Sequence, residues 1–506
     1  MAMIARRLGL RVVLLERGRH PRFAIGESAS PLAGILIEQL SDRYDLPRLR
    51  PLSAFGTWQR TYPHVVCGLK RGFTYFKHES GRRYCATSDR GNQLLVAASP
   101  SDELSDTHWL RSDVDHFLVN EAIALGVDYQ DLVELERVDW QPSGDPVLVG
   151  ARAGQSFRIR ARFVVDASGP RGFLSKALAI DDRGFDGYPA TQALFSHFTD
   201  VTRCDEMPDF DSGLGIRDSG FDQNGTVAPF PMDDAALHHV FDGGWMWVLR
   251  FGNGVTSAGV AVEDWLAEDL KLAEGEPAWA RLLARYPSVG EQFVDARPIR
   301  SFTWMPRMPY RAAQAAGDRW AMLPSAAAFI DPLFSTGIPL TLLGIERLAG
   351  ILEGGLEQAD RKTRFYSAAA LADADRTARF IAGSYAGFYQ FPMFASYSMF
   401  YFAAASFSEM ARRLDSPRIP RGFLCGDSPA FVSALQSLSP ARKVNREYYK
   451  EDVAAAVAGW NVAGLCDRSK RNWYGIDLED TVRAAAKLGL TSEHVRSALA
   501  ASMVSN

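Results

Sequence analysis

Cysteine is scarce in this sequence. The 506 residues include five cysteines, at Cys67, Cys85, Cys204, Cys425 and Cys466. No two of them form a C-x-x-C pair, which argues against a structural zinc site, so we expect no bound metal. A sparse and odd set of cysteines in a large chain is typical of reduced thiols, and we therefore expect a cytoplasmic protein.

A signal-peptide layout, a membrane-type apolar run and an excess of basic charge are also lacking. The N-terminal MAMIARRLGLRVVLLERG has a short apolar run that charge follows. Residues 380–408 carry no charge, but they include proline, glutamine, glycine and several serines, so we predict one or two buried aromatic helices rather than a membrane span. The net charge of -4 argues against nucleic acid as a partner.

What is present is the composition of a globular protein. The chain is 47% hydrophobic and 23% charged, and its length favours two or three packed regions. Apolar spacing predicts helices in the first ten residues, near residues 112–125 and across residues 337–355. Aromatic and polar alternation predicts strands and turns at 53–95 and an antiparallel sheet at 190–305, and the remainder is expected to be mostly helical.

The run RVVLLE, which ends at Glu16, is typical of a buried parallel strand. In a dinucleotide-binding unit the order is strand, glycine loop, helix, strand and acid, and the acid binds the ribose hydroxyls. Here a helix, a strand and an acid are present, whereas the first strand and a G-x-G-x-x-G loop are not. Glu16 is therefore a candidate ribose ligand, and the alternative is a solvated acid at a strand end.

The segment FIDPLFSTGI, at residues 329–338, comes directly before a predicted helix that Ser335, Thr336 and Gly337 open. The first N–H groups of a helix have no intrahelical acceptor, and a glycine lets an anion approach them. We predict an anion site here, for a flavin oxygen, a phosphate or a halide. Plain N-capping by Ser335 or Thr336 is the alternative.

Lys70, in LKRGFTYF, has two interpretations. It lies either on a solvated strand face or in an apolar pocket, where its pKa is lowered and it can meet an electrophile. Trp245 and Trp247 share one side of a strand, as core or as a pocket wall. Arg111 is either the i,i+4 helix partner of Asp115 or is aimed at a flavin pyrophosphate.

The string VVDASG predicts a strand that runs into a tight turn, with Asp166 at its tip and Gly169 at its end. Small residues in such a turn let the backbone approach a ligand closely. The alternative is an ordinary turn after a strand.

Taken in order, GES (Gly26 to Ser28), LKRGFTYF, DASG, WMW and DPLFSTGI resemble the motifs of the FAD-dependent halogenases, over about residues 11–350. The resemblance implies an α/β fold. An FAD-binding, Rossmann-like domain at residues 1–350 would be interrupted by a mostly antiparallel substrate-side sheet around 51–95 and 190–300. Residues 351–506 would form a helical C-terminal region.

The resemblance also implies an activity. A separate NAD(P)H-dependent flavin reductase would supply reduced FAD, and oxygen and chloride or bromide would be consumed. The halide would lie at Ser335, Thr336 and Gly337, and hypohalous acid would reach Lys70 beside a small aromatic substrate, either free or bound to a carrier protein. The implied FAD contacts are Glu16, Gly26, Ser28, Arg111, Asp166, Gly169 and Asp331, and the implied pocket residues are Trp245, Trp247 and Phe334.

The sequence departs from that family pattern in four features. The glycine loop is missing, so we interpret Met1 as an internal start and expect weak FAD binding by the chain as it stands. Leu249 and Arg250 stand where the W-x-W-x-I-P string of the family has Ile and Pro, a string that is thought to discourage monooxygenation. Pro324 and Ser325 replace a Gly-Asp pair. Phe334 replaces a glutamate of the indole-type enzymes, which favours phenol-like or pyrrole-like rings.

Three alternatives to a halogenase stay open. The first is a flavin monooxygenase of the same fold. The second is a double-bond reductase similar to the geranylgeranyl reductases, with an isoprenoid chain held by residues 380–408. The third is an inactive flavoprotein remnant that acts as a binding module.

Overall fold

The computed structural model describes residues 1–140, 145–210, 227–442 and 447–504. Sixteen α-helices lie in these ranges. They are α1 (Ala2–Arg7), α2 (Pro31–Arg43), α3 (Phe55–Thr61), α4 (Arg111–Ala124), α5 (Phe173–Ala177), α6 (Asp264–Leu270), α7 (Glu276–Arg285), α8 (Pro287–Gln292), α9 (Pro324–Ala327), α10 (Gly337–Leu352), α11 (Leu356–Phe388), α12 (Phe391–Arg413), α13 (Pro429–Ser437), α14 (Tyr449–Val457), α15 (Leu478–Arg483) and α16 (Ser492–Val504).

The strands of the same ranges are mostly short. They are β1 (Val13–Leu15), β2 (Cys67–Lys70), β3 (Gly72–Lys77), β4 (Gln93–Ala97), β5 (Asp106–Trp109), β6 (Asp128–Gln130), β7 (Val133–Asp139), β8 (Val147–Arg152), β9 (Gln155–Arg160), β10 (Val164–Asp166), β11 (Thr191–Thr199), β12 (Ala236–Phe241), β13 (Gly244–Arg250), β14 (Thr256–Glu263), β15 (Arg297–Pro298), β16 (Thr303–Met305), β17 (Tyr310–Arg311), β18 (Ala316–Gly317), β19 (Trp320–Met322), β20 (Ala328–Phe329) and β21 (Trp473–Tyr474).

The largest sheet has the order β15-β11-β14-β13-β12-β3-β4-β21, and β16 adds to β11. Its pairs are antiparallel except β12 with β3 and β4 with β21. Both faces of the sheet are covered, because alternate residues of β13 enter two different cores. Trp245 and Trp247 face the core that α12 covers, and Met246 and Val248 face the core under α6 and α7.

Smaller sheets carry the elements expected of a dinucleotide-binding unit. Strand β1 pairs in parallel with β6, and β10 pairs in parallel with β19, which also pairs with β18. The prediction of a buried strand at residues 11–16 is wrong in part, since β1 has three residues and Val13 is 37% exposed. Among the described residues β1 has a strand neighbour on one side alone, so its side chains are incompletely covered.

Two predicted strand regions contain helices. Residues 55–61 form α3, and residues 264–292 include α6, α7 and α8. In the first region Trp58 and Tyr62 stand four residues apart and share one helical face, which packs against Trp109 and Phe117. The aromatic residues at 53–62 therefore follow a helical period, although they suggest strand alternation when read with the residues after them.

The predicted helices at residues 2–10, 112–125 and 337–355 are present as α1, α4 and α10. The uncharged residues 380–408 form the end of α11 and most of α12, and they are largely buried against the large sheet. Within the described parts of the chain, no helix combines the length and the apolar character that crossing a membrane requires.

Candidate functional site

Lys70 ends β2 with a fully buried side chain, 0% exposed. Its Nζ donates hydrogen bonds to the Ala29 carbonyl oxygen at 2.5 Å and to Ser335 Oγ at 3.1 Å, and it lies 4.1 Å from the centre of the Phe73 ring. Burial lowers the pKa of Lys70, because the ammonium loses its hydration, and the Asp106 carboxylate opposes that shift. The structure thus places Lys70 in an apolar surrounding and not on a solvated face.

Asp106 lies directly opposite Lys70 in the antiparallel pairing of β2 with β5. Its side chain is buried, and its Oδ2 accepts no hydrogen bond from the described residues. Burial raises the pKa of Asp106, and Lys70 works against this rise. Asp106 was not among the predicted site residues, because its position opposite Lys70 depends on the pairing of two strands, and no local sequence pattern indicates that pairing.

The turn before α10 brings Lys70 to a helix N-terminus. Phe334 and Ser335 have φ values of 63° and 55°, in the left-handed region, and Thr336 stands at the N-cap position without a side-chain capping bond. Ser335 Oγ donates to Ser28 Oγ at 2.9 Å and accepts from Lys70. The N-capping alternative is therefore absent, and the hydroxyl of Ser335 links the lysine to the GES segment.

Open space remains beside Gly337, the first residue of α10. A Cβ atom built on Gly337 would meet no heavy atom within 4 Å. The N–H groups of the first turn have no intrahelical acceptor, so their partial positive charge faces this space. The space can receive an anion or an electronegative ligand atom.

The GES segment is fixed from two sides. Glu27 is buried and its carboxylate contacts His197 Nε2 at 2.7 Å and accepts from Ser257 Oγ at 2.6 Å. Arg111 donates to the Ile25 carbonyl oxygen at 2.7 Å and holds Asp115 through two bonds, at 2.7 and 2.9 Å. The helix-pair interpretation of Arg111 is thus satisfied, and the same guanidinium also anchors the loop at Gly26. The sequence analysis quoted Glu27 without assigning it a role.

Glu16 belongs to a paired, partly exposed charge network. Its carboxylate accepts from Gly18 N at 2.7 Å and from Arg22 at 3.0 and 2.9 Å. Burial alone would raise the pKa of Glu16, but the Gly18 N–H and the Arg22 guanidinium together lower it. Arg22 also lies 3.6 Å from Asp115, so the network connects Glu16 to Arg111.

Two further predicted cofactor contacts are engaged by the protein itself. Asp166 accepts from Ser168 N and Leu174 N, both at 2.7 Å, and so closes its own turn. Asp331 accepts from Leu333 N at 2.8 Å and from Tyr385 Oη at 2.7 Å. Burial raises the pKa of Asp331 to about 6.

The predicted pocket residues are packed in the core. The Phe334 ring lies 4.8 Å from that of Tyr401 and 5.0 Å from that of Phe380, and the Trp245 and Trp247 rings lie 5.7 Å apart. None of these side chains is more than 6% exposed. The Phe334 ring, directly before Ser335, packs beside the turn that leads into α10, and the two tryptophans belong to the same core.

Arg250, at the position that departs from the family pattern, is a structural anchor. Its Nε bonds Asp233 at 2.6 Å, and its two Nη atoms bond the carbonyl oxygens of Val201 and Thr202 at 2.8 and 2.7 Å. Asp233 also lies with Cys204 and Asp205 in a group of ligand-type side chains. Arg203 donates to Asp205, Arg250 donates to Asp233, and backbone N–H groups donate to both carboxylates, so a metal ion would have to displace these donors.

A cavity of about 60 Å³ lies between β3, β4, α12 and β21. On this measure one water takes roughly 10–15 Å³, so several waters or a small ring fit inside. Its walls are mostly apolar, and Glu409 is the one charged residue among those that line it: Pro31, Phe73, Val96, Ala97, Ala98, Tyr401, Phe402, Ala405, Ser406, Glu409, Ala463, Leu465, Tyr474, Gly475 and Ile476.

The residues present fit a flavin at the α10 end. Gly169 has a φ of +85° and, like Gly337, has room for a ligand where a Cβ would stand. The free N–H groups of α10 suit a flavin oxygen, and Glu16 stands at a strand end where a ribose would bind. For a pyrophosphate the described residues offer Arg22 and Arg111, whose present partners are carboxylates.

A family model described as tryptophan halogenase matches residues 99–387. Tetracycline 7-halogenase of Kitasatospora aureofaciens is 30% identical over 361 residues, which are 70% of this chain and 60% of that protein. Monodechloroaminopyrrolnitrin halogenase PrnC of Pseudomonas fluorescens is 28% identical over 365 residues, 71% of this chain and 60% of that one. The chain thus spans about 60% of the length of these relatives.

A crystal structure of the halogenase PltM in complex with phloroglucinol and FAD superposes with a TM-score of 0.78. The identity is 23%, and the match covers 93% of this chain and 96% of that one. This likeness concerns the fold, and it confirms the predicted α/β class with its antiparallel sheet and helical C-terminal part.

Proposed function

Because the chain belongs to the tryptophan halogenase family, we propose that it is an FAD-dependent halogenase of an electron-rich aromatic compound. The observation that carries the proposal is the hydrogen bond between Lys70 and Ser335, 265 positions apart. It places a buried amine beside a helix N-terminus with open space, in one enclosed region. In the proposed reaction the helix N-terminus would hold the halide, and the buried amine would receive the oxidised halogen away from water.

In this proposal the halide lies at Ser335, Thr336 and Gly337. The N–H groups of the first turn of α10 attract an anion, and the helix dipole adds to this attraction. The left-handed backbone at Ser335 turns its hydroxyl toward Lys70 and away from the N–H groups that it would otherwise cap. Chloride and bromide are the candidate ions.

FAD, reduced by a separate NAD(P)H-dependent flavin reductase, would supply the two-electron reduction of oxygen that oxidises the halide. The residues that would hold it are Glu16 at the ribose, Arg111 and the Gly26–Ser28 segment along its length, and Asp166, Gly169 and Asp331 toward α10. Of these, Glu16 and Arg111 would exchange their present partners for cofactor atoms. For Glu16 the free-energy cost of the exchange is small, because its partner Arg22 is partly exposed to water.

Lys70 would receive hypohalous acid, either by hydrogen bonding or by forming a haloamine. Its lowered pKa favours the neutral amine, which is the nucleophilic form. In the hydrogen-bonded route the halogen replaces a ring hydrogen, and the hydroxyl of the acid leaves with that proton as water. In the haloamine route the hydroxyl leaves with an amine proton as water, and the ring proton returns to the amine when the halogen is transferred. The packed rings of Phe334, Trp245 and Trp247 exclude water from this path.

Phenol-like and pyrrole-like rings are the proposed substrates, either free or carried by a carrier protein. Relatives of this chain include a 1H-pyrrole-2-carbonyl-[peptidyl-carrier protein] brominase of Pseudoalteromonas luteoviolacea. The small apolar cavity beside Phe73 suits a single ring better than an isoprenoid chain, which speaks against a geranylgeranyl-reductase-like activity. The buried Lys70 beside α10 speaks against an inactive remnant.

A flavin monooxygenase is the second candidate function. The observation that favours it is Arg250, whose three hydrogen bonds fix the end of β13 in a way that a proline would not. Because Leu249 and Arg250 stand where the family has isoleucine and proline, a barrier to direct oxygen transfer is absent at this point of the chain.

Product mass spectrometry tests the two functions against each other. The protein is given reduced FAD, oxygen and bromide, with a panel of phenols, pyrroles and indoles. A bromine isotope doublet that depends on the protein supports the halogenase. A product that gains oxygen alone would replace the halogenase with the monooxygenase, and a panel without any product would contradict both.

A further inference from the structure

The cavity beside α12 lies next to Lys70. Phe73 lines the cavity, and its ring centre is 4.1 Å from Lys70 Nζ. Tyr401 also lines it, and its hydroxyl donates to the carbonyl oxygen of Phe334 at 2.7 Å. Phe334 immediately precedes Ser335, which accepts from Lys70. A ring in the cavity would therefore be separated from the amine by one layer of side chains.

The polar chemistry of the cavity is concentrated in Glu409. The hydroxyl of Ser406 donates back to the Phe402 carbonyl oxygen of its own helix, so it is already satisfied. The Oε1 atom of Glu409 accepts from Arg413 Nε at 3.1 Å, whereas its Oε2 accepts no hydrogen bond from the described residues. Burial raises the pKa of Glu409, and Arg413 limits that rise.

A carboxylate with a free acceptor oxygen in an apolar cavity selects for a ligand that has a hydrogen-bond donor. An apolar ligand without a donor would leave the oxygen desolvated and unpaired, which costs affinity. The more acidic the donor, the stronger its bond to a carboxylate, and a phenol hydroxyl titrates near pH 10, far below a pyrrole N–H. A hydroxyl bonded to a carboxylate also raises the electron density of its ring at the ortho and para carbons.

We propose that this cavity is the substrate pocket and that Glu409 orients and activates a hydroxyl-bearing ring, so that the substrate is a phenol. The inference rests on the proposed function for the meaning of Lys70, but its binding claim stands by itself. The hydroxyl of the ring donates to Oε2 of Glu409, and the ring lies among the apolar side chains. Glu409 keeps no proton at the end, because the hydroxyl regains its own when the halogenated product leaves.

Equilibrium binding without flavin or halide tests the pocket. Phenol, anisole and pyrrole are titrated into the full chain and followed by ligand-observed NMR. We expect the parent to bind phenol roughly ten-fold more tightly than anisole, since anisole lacks the donor. Equal binding of phenol and anisole would overturn the proposal.

Glu409→Gln is the variant that addresses the carboxylate. It keeps the size of the side chain and removes the charge, and we expect it to weaken the preference for phenol over anisole, because an amide oxygen is a poorer acceptor than a carboxylate. The matched control is Glu38→Gln, because Glu38 also lies near Arg413, at 4.0 Å, and does not line the cavity. An unchanged preference in Glu409→Gln, or its loss in the control, would overturn the role of Glu409.

A second variant guards against a folding defect in the first. Ala405→Leu extends a side chain into the cavity from α12, and we expect it to weaken the binding of all three rings. Full binding in this variant would show that the rings bind elsewhere.

The outcomes separate this inference from the proposed function. Phenol binding that depends on Glu409, without any halogenated product, would contradict the halogenase and leave the pocket intact. Halogenated product together with phenol binding that is indifferent to Glu409 and to Ala405→Leu would contradict the pocket and leave the halogenase intact.

Discussion

The two ends of the candidate site treat their carboxylates in opposite ways. At the α10 end Asp331 and Asp106 are buried, and burial raises their pKa values. At the other end Glu16 is partly exposed, and Arg22 and a backbone N–H lower its pKa. At the α10 end burial disfavours the charged form of the carboxyl groups. At the Glu16 end the charges are paired, and water still screens them.

The difference suits the two ends to two different roles, chemistry and cofactor binding. Groups in a buried, under-paired region have shifted proton affinities and strong mutual electrostatics, which are the conditions for chemistry. Groups in a paired, partly exposed network can exchange partners at small cost, which is the condition for taking up a charged cofactor. In the proposed function the α10 end is accordingly the reactive end, and the Glu16 end binds the cofactor.

Asp331→Asn gives the largest expected effect on stability. The folded-state pKa of Asp331, about 6, exceeds the reference value of 3.8, so the folded protein binds more protons between these pH values. The contribution of Asp331 to the stability of the parent is thus greatest at low pH and falls as the pH rises through this window. Relative to the parent, the variant should gain about 2 kcal/mol between pH 4 and pH 7, measured by denaturant unfolding at each pH.

Glu16→Gln supplies the opposite sign in the same experiment. The folded-state pKa of Glu16 is lowered, so its contribution is present above its ordinary pKa and is lost as the pH falls. The variant should therefore become less stable than the parent as the pH rises. Equal slopes for the two variants would remove the contrast between the two ends.

Gly337→Ala should damage the reaction without damaging the fold. The new methyl group meets no protein atom within 4 Å, and alanine favours a helix over glycine by about 0.5–1 kcal/mol. It fills the space that the halide needs, so bromination should fall roughly ten- to hundred-fold. The measurements are product yield and melting temperature.

Gly350→Ala is the matched control. Gly350 lies in the same helix and also has open space where its Cβ would stand, but it is 13 positions from Gly337 along α10. It should raise stability equally and leave bromination unchanged. A similar loss of product in both variants would contradict an anion site at the N-terminus of α10.

Asp106→Asn should shift a pH limb of the reaction. The Asp106 carboxylate stabilises the ammonium form of Lys70, and an amide does not. The variant should lower the pKa of Lys70, so the limb that reports the lysine should move to lower pH by roughly one unit. The control is Asp102→Asn, at an exposed partner of Arg71, which should leave the pH profile of the reaction unchanged. An unshifted pH limb in Asp106→Asn would show that Asp106 does not influence the pKa of Lys70.

Glu16→Gln should have the smallest effect in the absence of cofactor at neutral pH. A partly exposed ion pair contributes less than about 1 kcal/mol, so the free energy of unfolding at pH 7 should fall by less than that amount, whereas FAD binding should weaken several-fold. Flavin fluorescence quenching measures the second quantity. Asp131→Asn, which breaks the neighbouring pair with Arg19, should alter neither, and FAD binding that is insensitive to Glu16→Gln would exclude the ribose contact.

Sequence patterns predicted the parts of this molecule that are encoded locally. One example is the helix at residues 337–352, which follows from a glycine, a proline and an apolar period within twenty positions. The burial of Lys70 could not be predicted, because it depends on Ser335 and Ala29, which distant strands and helices bring to it. Asp106 depends on a strand register, and the free oxygen of Glu409 depends on how α12 crosses the sheet.

The most direct test of the account is bromination by Lys70→Ala, with Lys77→Ala as the control. Lys77 is partly buried and ends β3, the next strand along the chain after Lys70. Its ammonium pairs with Asp242 and the Phe388 carbonyl oxygen. With reduced FAD, oxygen, bromide and a phenol, we expect both variants to bind FAD as the parent does and Lys70→Ala alone to lose the brominated product. Bromination by Lys70→Ala at the parent rate would contradict the assignment of Lys70 and, with it, the reactive end.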